Sequence, residues 1–334
     1  MAKLKWGILG TARINRLVIP ALHASPDNEL VAVASRNLAH GQDYAAQWEI
    51  PQALGSYQEL LNSPQIDVVY IPLPNHMHSE WAIKAAEAGK HVLCEKPLAL
   101  SVGEVDAIRA AAENNGVKIV EAFMYRHHPQ TLKVRDLIET GALGQIGYMR
   151  GTFSFILDRP GNIRWFPETG GGSLWDIGCY PVSYAQMVMG SAPVAMFASQ
   201  TVGPSGVDLS FASQLRYPNG GFAQIESSFV LPYYSSIEIR GTKGTVIVPD
   251  PYNPKTDETR IIVIRDNERE EIKFYYPLIY MGEIEDLAQV IRSVKPPRFP
   301  LSESREIIAT LTGLYRSALE DRPLQFDPAG YSLS

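Results

Sequence analysis

The ten residues Trp6-Gly7-Ile8-Leu9-Gly10-Thr11-Ala12-Arg13-Ile14-Asn15 decide how this chain is read. An apolar run over residues 4–9 ends on a glycine, and a helical pattern over 13–24 begins just beyond it. A strand that turns on glycine into a helix is the setting of a dinucleotide-binding turn. Gly10 permits the tight turn, and the small Thr11 and Ala12 let backbone approach a pyrophosphate. Arg13 and Ile14 open the helix, whose first N–H groups and dipole favour an anion. The match to G-x-G-x-x-G is imperfect, because Ala12 holds the second glycine position and Asn15 the third. Gly10 alone also fits a plain strand-end turn. The surrounding strand–helix alternation favours the dinucleotide reading.

Working outward, short Val/Ile-rich runs recur at 30–35, 68–73, 91–94 and 118–122, with helical patterns at 39–48, 57–62, 76–88 and 102–115 between them. Uninterrupted apolar strands suit a sheet covered on both faces, so this region is expected to be a parallel sheet with crossover helices. The texture changes near Phe123. A helix is expected over 131–140, and alternating strands over 196–202, 209–217, 221–229, 236–240 and 260–265. Breaks such as Pro218-Asn219-Gly220-Gly221 read as hairpin turns. Further helices are expected at 180–189, 282–294 and 302–319. The fold class is therefore α/β: an N-terminal dinucleotide-binding domain over 1–122 and a second α/β domain over 123–334 built on a mostly antiparallel sheet.

Composition excludes several classes. The 334 residues carry 30 basic against 36 acidic side chains and no basic run, which argues against a nucleic-acid partner. No apolar stretch is long enough for a membrane span. Two cysteines, Cys94 and Cys179, cannot build a disulfide framework. With no secretory segment at the start of the sequence, the expected location is the cytoplasm. His76/His78 and His127/His128 lack accompanying ligands, so no metal is expected.

Three local features point to redox chemistry. The second strand ends in Ala34-Ser35-Arg36-Asn37, without the acid that usually holds an NAD ribose. A serine and a guanidinium suit a 2′-phosphate instead, so NADP is favoured over NAD. Arg36 also fits a solvated charge at a helix entry. The fifth run ends in Glu95-Lys96-Pro97, placing a lysine at the carboxyl end of a strand beside a proline that constrains the backbone. Downstream, Gly170-Gly171-Gly172-Ser173-Leu174-Trp175-Asp176-Ile177-Gly178-Cys179-Tyr180 puts a carboxylate and a phenol four residues apart. On a helix they share a face. The residue type of Tyr180 fits a buried structural tyrosine equally well.

Together, Gly10, Glu95-Lys96-Pro97 and Asp176-Ile177-Gly178-Cys179-Tyr180 resemble the glucose–fructose oxidoreductase/inositol dehydrogenase/rhizopine-catabolism (Gfo/Idh/MocA) family along the whole chain. The tyrosine, where many members carry histidine, is similar to the NADP-dependent xylose and dimeric dihydrodiol dehydrogenase branch. The resemblance implies a Rossmann domain, a large and open sheet in the second domain, an NADP cofactor, and hydride transfer at a CH–OH or C=O carbon of a sugar, polyol or trans-diol. It implies catalytic roles for Lys96 and Tyr180, with Asp176 binding substrate. Cofactor contacts fall on Gly10, Thr11, Ala12, Arg13, Ile14, Ser35, Arg36, Pro72, Leu73, Asn75, His76, Glu95 and Lys96. Arg126, Phe155, Trp165 and Tyr280 become candidate pocket residues. A homodimer or homotetramer formed through the C-terminal sheet is also implied. The alternatives are a carbonyl reductase of the same family and a non-catalytic NADP-binding regulator.

Overall fold

The structure, a computed structural model, describes residues 2–254, 257–293 and 295–327. It forms two compact units. The first comprises residues 1–127 with 278–305, and the second 128–277 with 306–334. The chain thus returns to the first unit after the large sheet, where the sequence reading had a single cut between 122 and 123.

The first unit is built on six parallel strands in the order β3-β2-β1-β4-β5-β6. They are β1 (Leu4–Leu9), β2 (Asn28–Ala34), β3 (Gln52–Leu54), β4 (Val68–Ile71), β5 (His91–Glu95) and β6 (Ile119–Ala122). Helices α1 (Asn15–Ala24), α2 (Leu38–Gln47), α3 (Tyr57–Asn62), α4 (His78–Glu87) and α5 (Val102–Asn114) cross between them. Trp6, Ile8, Leu9, Val68, Val69, Tyr70 and Leu93 are fully buried, as strands covered on both faces require. Gly7 marks a close helix–strand approach, since a Cβ there would sit 2.7 Å from Leu60 of α3. Ser101 caps α5 with a reciprocal box: its hydroxyl accepts the Glu104 N–H and the Glu104 carboxylate accepts its own N–H.

The second unit carries nine strands in the order β14-β13-β12-β11-β7-β10-β9-β8-β15. They are β7 (Ile146–Ser154), β8 (Ala195–Val202), β9 (Asp208–Arg216), β10 (Phe222–Ser228), β11 (Tyr234–Gly241), β12 (Gly244–Pro249), β13 (Glu258–Arg265), β14 (Glu268–Tyr275) and β15 (Leu324–Gln325). Among the described residues of this sheet, only β7 and β10 pair in parallel. Helices α6 (Pro129–Glu139) and α7 (Cys179–Met189) belong to this unit, and α7 packs on β7. Gly151 is where they meet, since a side chain there would sit 2.6 Å from Pro181. Helix α8 (Met281–Ile291) and the start of α9 (Leu301–Glu320) complete the first unit. The helix expected over 282–294 ends at Ile291, and its last expected residue, Val294, lies outside the described residues. Among the described residues no helix is long and apolar enough to cross a membrane.

Candidate active site

In the first unit the strand order reverses between β1 and β4, and ligands of open parallel sheets bind outside the strand ends at such a point. Gly10 follows β1 with φ +96°, and its N–H donates to Ala34 O at 2.8 Å. A Cβ at Gly10 would stand 3.3 Å from Leu73 and 3.4 Å from the Tyr57 hydroxyl, so the turn has little room for a side chain. Asn15 occupies the third glycine position as a clamp: fully buried, it donates its amide to Gly10 O at 3.0 Å. Helix α1 starts at Asn15, two residues later than the pattern suggested, because Arg13 and Ile14 form the turn before it. The Thr11 hydroxyl lies 3.1 Å from the His40 ring.

After β2, buried Ser35 accepts the Asn37 N–H at 3.3 Å, and Asn37 caps α2 by accepting the His40 N–H at 3.0 Å. Arg36 is exposed, and its guanidinium faces Tyr57, whose hydroxyl burial pushes up and Arg36 pulls down. Tyr57 and His40 therefore join the groups at this turn, although neither stood out in the sequence. Tyr57 is disguised by its place in the first turn of a short helix.

Pro72 and Leu73 are buried just past β4, Asn75 is half-buried, and His76 is exposed. His78 is fully buried, with Nδ1 2.7 Å from Pro97 O and Nε2 2.7 Å from Leu73 O. A proton on either nitrogen ties one of those turns to α4. Burial pushes the ring down to about 4, and Lys96 adds to that effect against the two carbonyls. The histidine is thus engaged with backbone rather than presented as a metal ligand.

Glu95 ends β5 and accepts the Tyr70 hydroxyl at 2.6 Å. Lys96 follows, half-buried, joined to Pro97 by a cis peptide bond. Tyr280 and Glu283 are buried within the electrostatic reach of Glu95. Burial first, and Glu95 second, push the Glu283 carboxyl well above the usual carboxylate range. Arg126, a candidate pocket residue, is buried in the first unit with Nη2 2.6 Å from Glu303 and its guanidinium 4.9 Å from the Phe299 ring centre.

The glycine run of the second unit has a definite cause. A Cβ on Gly171 would stand 2.5 Å from Arg164 O. Gly172 has φ +113°, and a side chain there would run into the Asp208 carboxylate. That carboxylate is nearly fully buried and accepts the Ser173 hydroxyl at 2.6 Å, the Leu174 N–H at 2.8 Å and the Tyr315 hydroxyl at 2.6 Å. Burial raises its pKa and these three donors oppose the rise. Asp208 thereby anchors the start of Leu174–Gly178, a single π-helical turn carrying Asp176, which runs directly into α7. On an ordinary helix Asp176 and Tyr180 would share a face; up to Gly178 the segment is a π turn instead, and such bulges recur at functional sites.

Asp176 is 6% exposed and its Oδ2 lies 2.5 Å from Arg164 Nε. Tyr180, in the first turn of α7, is 7% exposed. Its ring sits 5.7 Å from Phe153 and 5.5 Å from Tyr252, which are themselves stacked. The aromatic contacts run on through Phe153–Phe155, Phe155–Phe229 and Phe229–Trp165. The structure therefore brings Tyr180, Phe155 and Trp165 into one wall of the second unit, while Lys96, Arg126 and Tyr280 belong to the first unit. Phe153 and Tyr252 were missed in the sequence, although Phe153 faces inward in a strand that the alternation from Gln145 onward could have located. Cys94 and Cys179 are buried and form no disulfide.

This geometry has known counterparts. Residues 4–123 match the model of an oxidoreductase family with an NAD-binding Rossmann fold, and residues 131–247 match the GFO/IDH/MocA C-terminal domain. The chain is 36% identical over 328 residues to a D-xylose 1-dehydrogenase (NADP(+)) of Haloferax volcanii, covering 97% of this chain and 100% of the relative. It is 33% identical to a trans-1,2-dihydrobenzene-1,2-diol dehydrogenase of Xenopus tropicalis, over 79% of this chain and 80% of the relative. A solved 3-ketoreductase of Actinomadura kijaniata, in complex with NADP and TDP-benzene, superposes with a TM-score of 0.88 at 28% identity, covering 94% of this chain and 98% of the other. With segments of both units matched and a relative aligned over 97% of this chain, the chain belongs to the Gfo/Idh/MocA oxidoreductase family.

Proposed function

We propose that this protein is an NADP-dependent oxidoreductase that moves hydride between the nicotinamide and a CH–OH/C=O carbon of a sugar, polyol or trans-diol. The observation that carries this reading is a relative, aligned over its full length, that is an NADP-dependent xylose dehydrogenase, for a chain that carries Lys96, Asp176 and Tyr180. The residues at the glycine turn fit such a cofactor. Gly10 leaves backbone open to a pyrophosphate, and Ser35 with Arg36 offers a hydroxyl and a guanidinium to a 2′-phosphate where an acid would repel it. Thr11, Ala12, Arg13 and Ile14 would line the pyrophosphate; Pro72, Leu73, Asn75, His76, Glu95 and Lys96 would follow the ribose and nicotinamide.

NADP, when bound, accepts or supplies the hydride. Tyr180 takes the substrate hydroxyl proton during oxidation and returns it during reduction. The Lys96 ammonium keeps that phenol acidic and stabilises negative charge on the substrate oxygen. Asp176, held through Arg164, orients a substrate hydroxyl. The aromatic wall excludes water on one side of Tyr180. Arg126 and Tyr280 complete the proposed pocket set with Phe155 and Trp165. The 3-ketoreductase among the solved structures favours a second reading, in which a keto-sugar is reduced by the same groups in reverse.

We place the enzyme in the cytoplasm, where two buried thiols without a disulfide are at home. A second or fourth copy would dock on the large sheet, whose outer face carries exposed Phe197, Phe222 and Tyr234. The test of the activity is NADP reduction against aldoses, inositols and trans-diols, with NADPH oxidation by the matching carbonyls. Turnover with at least one class, lost by about 100-fold or more in Lys96→Ala, is expected. Tight NADP binding with no turnover across the panel would replace the reading with that of a regulator.

A further inference from the structure

Glu121 places a carboxyl group at a fully covered position of β6, the last strand of the parallel sheet, where hydrocarbon is the usual occupant. It lies on β6 opposite Cys94 of β5 and is 1% exposed. A carboxyl group so buried is costly unless other groups answer it. Its Oε1 accepts the Leu98 N–H at 2.9 Å. That N–H belongs to the Pro97–Leu98 peptide, the same unit whose carbonyl oxygen lies 2.7 Å from His78 Nδ1. One peptide plane is therefore gripped from both sides, and it directly follows the cis bond that carries Lys96.

The charges around the group are also defined. Lys96 lies close enough to draw the Glu121 carboxyl toward its ionised form, while Glu95 at the end of β5 acts against it. The Ser304 hydroxyl and the Leu98 N–H act with Lys96. Burial outweighs these donors and pushes the group up to about 7. His78 also feels the Lys96 ammonium. Cys94 is pushed well up by burial, with Glu121 and Glu95 adding to the rise, so it stays a neutral thiol. Glu121 and Glu95 thus both bear on the charge balance of the lysine turn.

We propose that Glu121 is a positioning residue for Lys96: its carboxylate fixes the Pro97–Leu98 peptide and supplies the buried counter-charge that keeps Lys96 an ammonium. The role rests on the reading of Lys96 as the group that polarises the substrate oxygen. In the neutral amide of Glu121→Gln the carbonyl oxygen still accepts the Leu98 N–H, but the counter-charge is gone. In Glu121→Asp the charge is kept on a side chain shorter by one methylene.

The test has one readout that needs no turnover. The full-length protein is reductively methylated with ¹³C-formaldehyde, the Lys96 dimethylamine signal is assigned by its absence in Lys96→Arg, and its pH titration is followed by NMR. Glu121→Gln is expected to lower the Lys96 pKa by about one pH unit, the effect of removing an opposite charge nearby, and Glu121→Asp to leave it close to wild type. With any substrate the wild type oxidises, Glu121→Gln is expected to lower kcat roughly tenfold to a hundredfold, the range that misplacement of a catalytic group produces. The substrate KM and the NADPH dissociation constant are expected to stay within about twofold, because the lysine acts on the reacting oxygen rather than on binding. Glu121→Asp is expected to recover most of the turnover. An unchanged Lys96 titration in Glu121→Gln overturns the proposal, as does a loss of kcat matched by an equal loss of NADPH binding. If the wild type oxidises no substrate, the dehydrogenase reading fails by itself, while the Lys96 titration still decides the role of Glu121.

Discussion

The two segments that carry the proposed chemistry are built in opposite ways. Lys96 stands at the end of a regular parallel strand, and the turn that carries it is held by α4 and β6, which belong to the same layered unit. Asp176 stands on a π turn that runs into α7, whose first turn carries Tyr180, with a glycine run before it and a carboxylate 35 positions beyond Ser173 as its anchor. The first arrangement follows from periodicity plus a proline. The second depends on a long-range contact that leaves no local trace. A side chain placed on or just after an irregular turn is set by whatever anchors the turn, so its geometry is sensitive to residues far along the chain.

The largest expected effect tests whether both segments are catalytic. Tyr180→Phe keeps the ring against Phe153 and Tyr252 and removes only the hydroxyl. It is expected to lower kcat by about 10²–10⁴-fold, the usual yield of a positioned proton-transfer group, with NADPH affinity and melting temperature near wild type. Steady-state kinetics beside fluorescence titration with NADPH checks this. A residual rate within a few-fold of wild type would reduce Tyr180 to a packing residue and leave the lysine turn as the sole chemical half.

Next comes the anchor. Gly172→Ala forces a Cβ into the Asp208 carboxylate at a backbone conformation that side chains rarely adopt. A loss of about 3 kcal/mol is expected, the sum of a left-handed penalty and a broken buried network. Urea denaturation measures it. The same change at Gly103, in α5, meets no atom within 4 Å and sits in a helix, so Gly103→Ala is expected to stabilise the protein slightly. Equal behaviour of the two variants would break the contrast between an anchored turn and a regular element.

These differences explain what could be read in advance. The parallel strands were legible because burial on both faces demands apolar runs, and Gly10 and Lys96 were legible because each ends one. Strand β3 escaped notice because three residues, Gln52-Ala53-Leu54, are too short to show a period. Strand β14, Glu-Arg-Glu-Glu-Ile-Lys-Phe-Tyr, is a charged, solvent-facing edge that reads as a loop or a helix face. Strand β7 contains Gly147 and Gly151, which weaken its pattern although it lies in the middle of the sheet. The Asp176–Tyr180 segment was visible as a motif, but its conformation was not. Neither Asp208 nor Tyr315 has a sequence feature linking it to residues 172–174. Asn15 at the third glycine position looked like a defect in the fingerprint and is a clamp on Gly10.

Acid should act on the lysine turn through His78. Its folded pKa, about 4, lies below the 6.5 of an unfolded histidine. The folded state therefore binds fewer protons across that window, and stability present at neutral pH is lost as pH falls from 6.5 toward 4. At pH 5 the loss amounts to about 2 kcal/mol. Glu121 works in the other direction, since a folded pKa of about 7 above the unfolded 4.5 makes stability fall as pH rises between those values. Melting temperatures from pH 7.5 to 5 are expected to drop less steeply in His78→Gln than in wild type, and more steeply in Glu121→Gln. Parallel slopes in all three proteins would show that neither group is tuned by the turn.

The smallest effect probes how local the support of the lysine turn is. Pro97 and Leu98 lead through Leu100 and Ser101 into α5, and Glu104 accepts both the Leu100 N–H at 2.8 Å and the Ser101 N–H at 3.1 Å. Ser101→Ala removes the hydroxyl that accepts the Glu104 N–H but leaves the carboxylate on those two donors. The expected cost is about 1 kcal/mol of stability, the usual value of a lost N-cap. Turnover is expected to stay unchanged, because His78 and Glu121 grip the Pro97–Leu98 peptide before the chain reaches the cap. The comparison sharpens if denaturation shows the stability loss while kcat holds. A fall in kcat with Ser101→Ala would mean that the helix cap, rather than the two buried side chains, sets the position of Lys96.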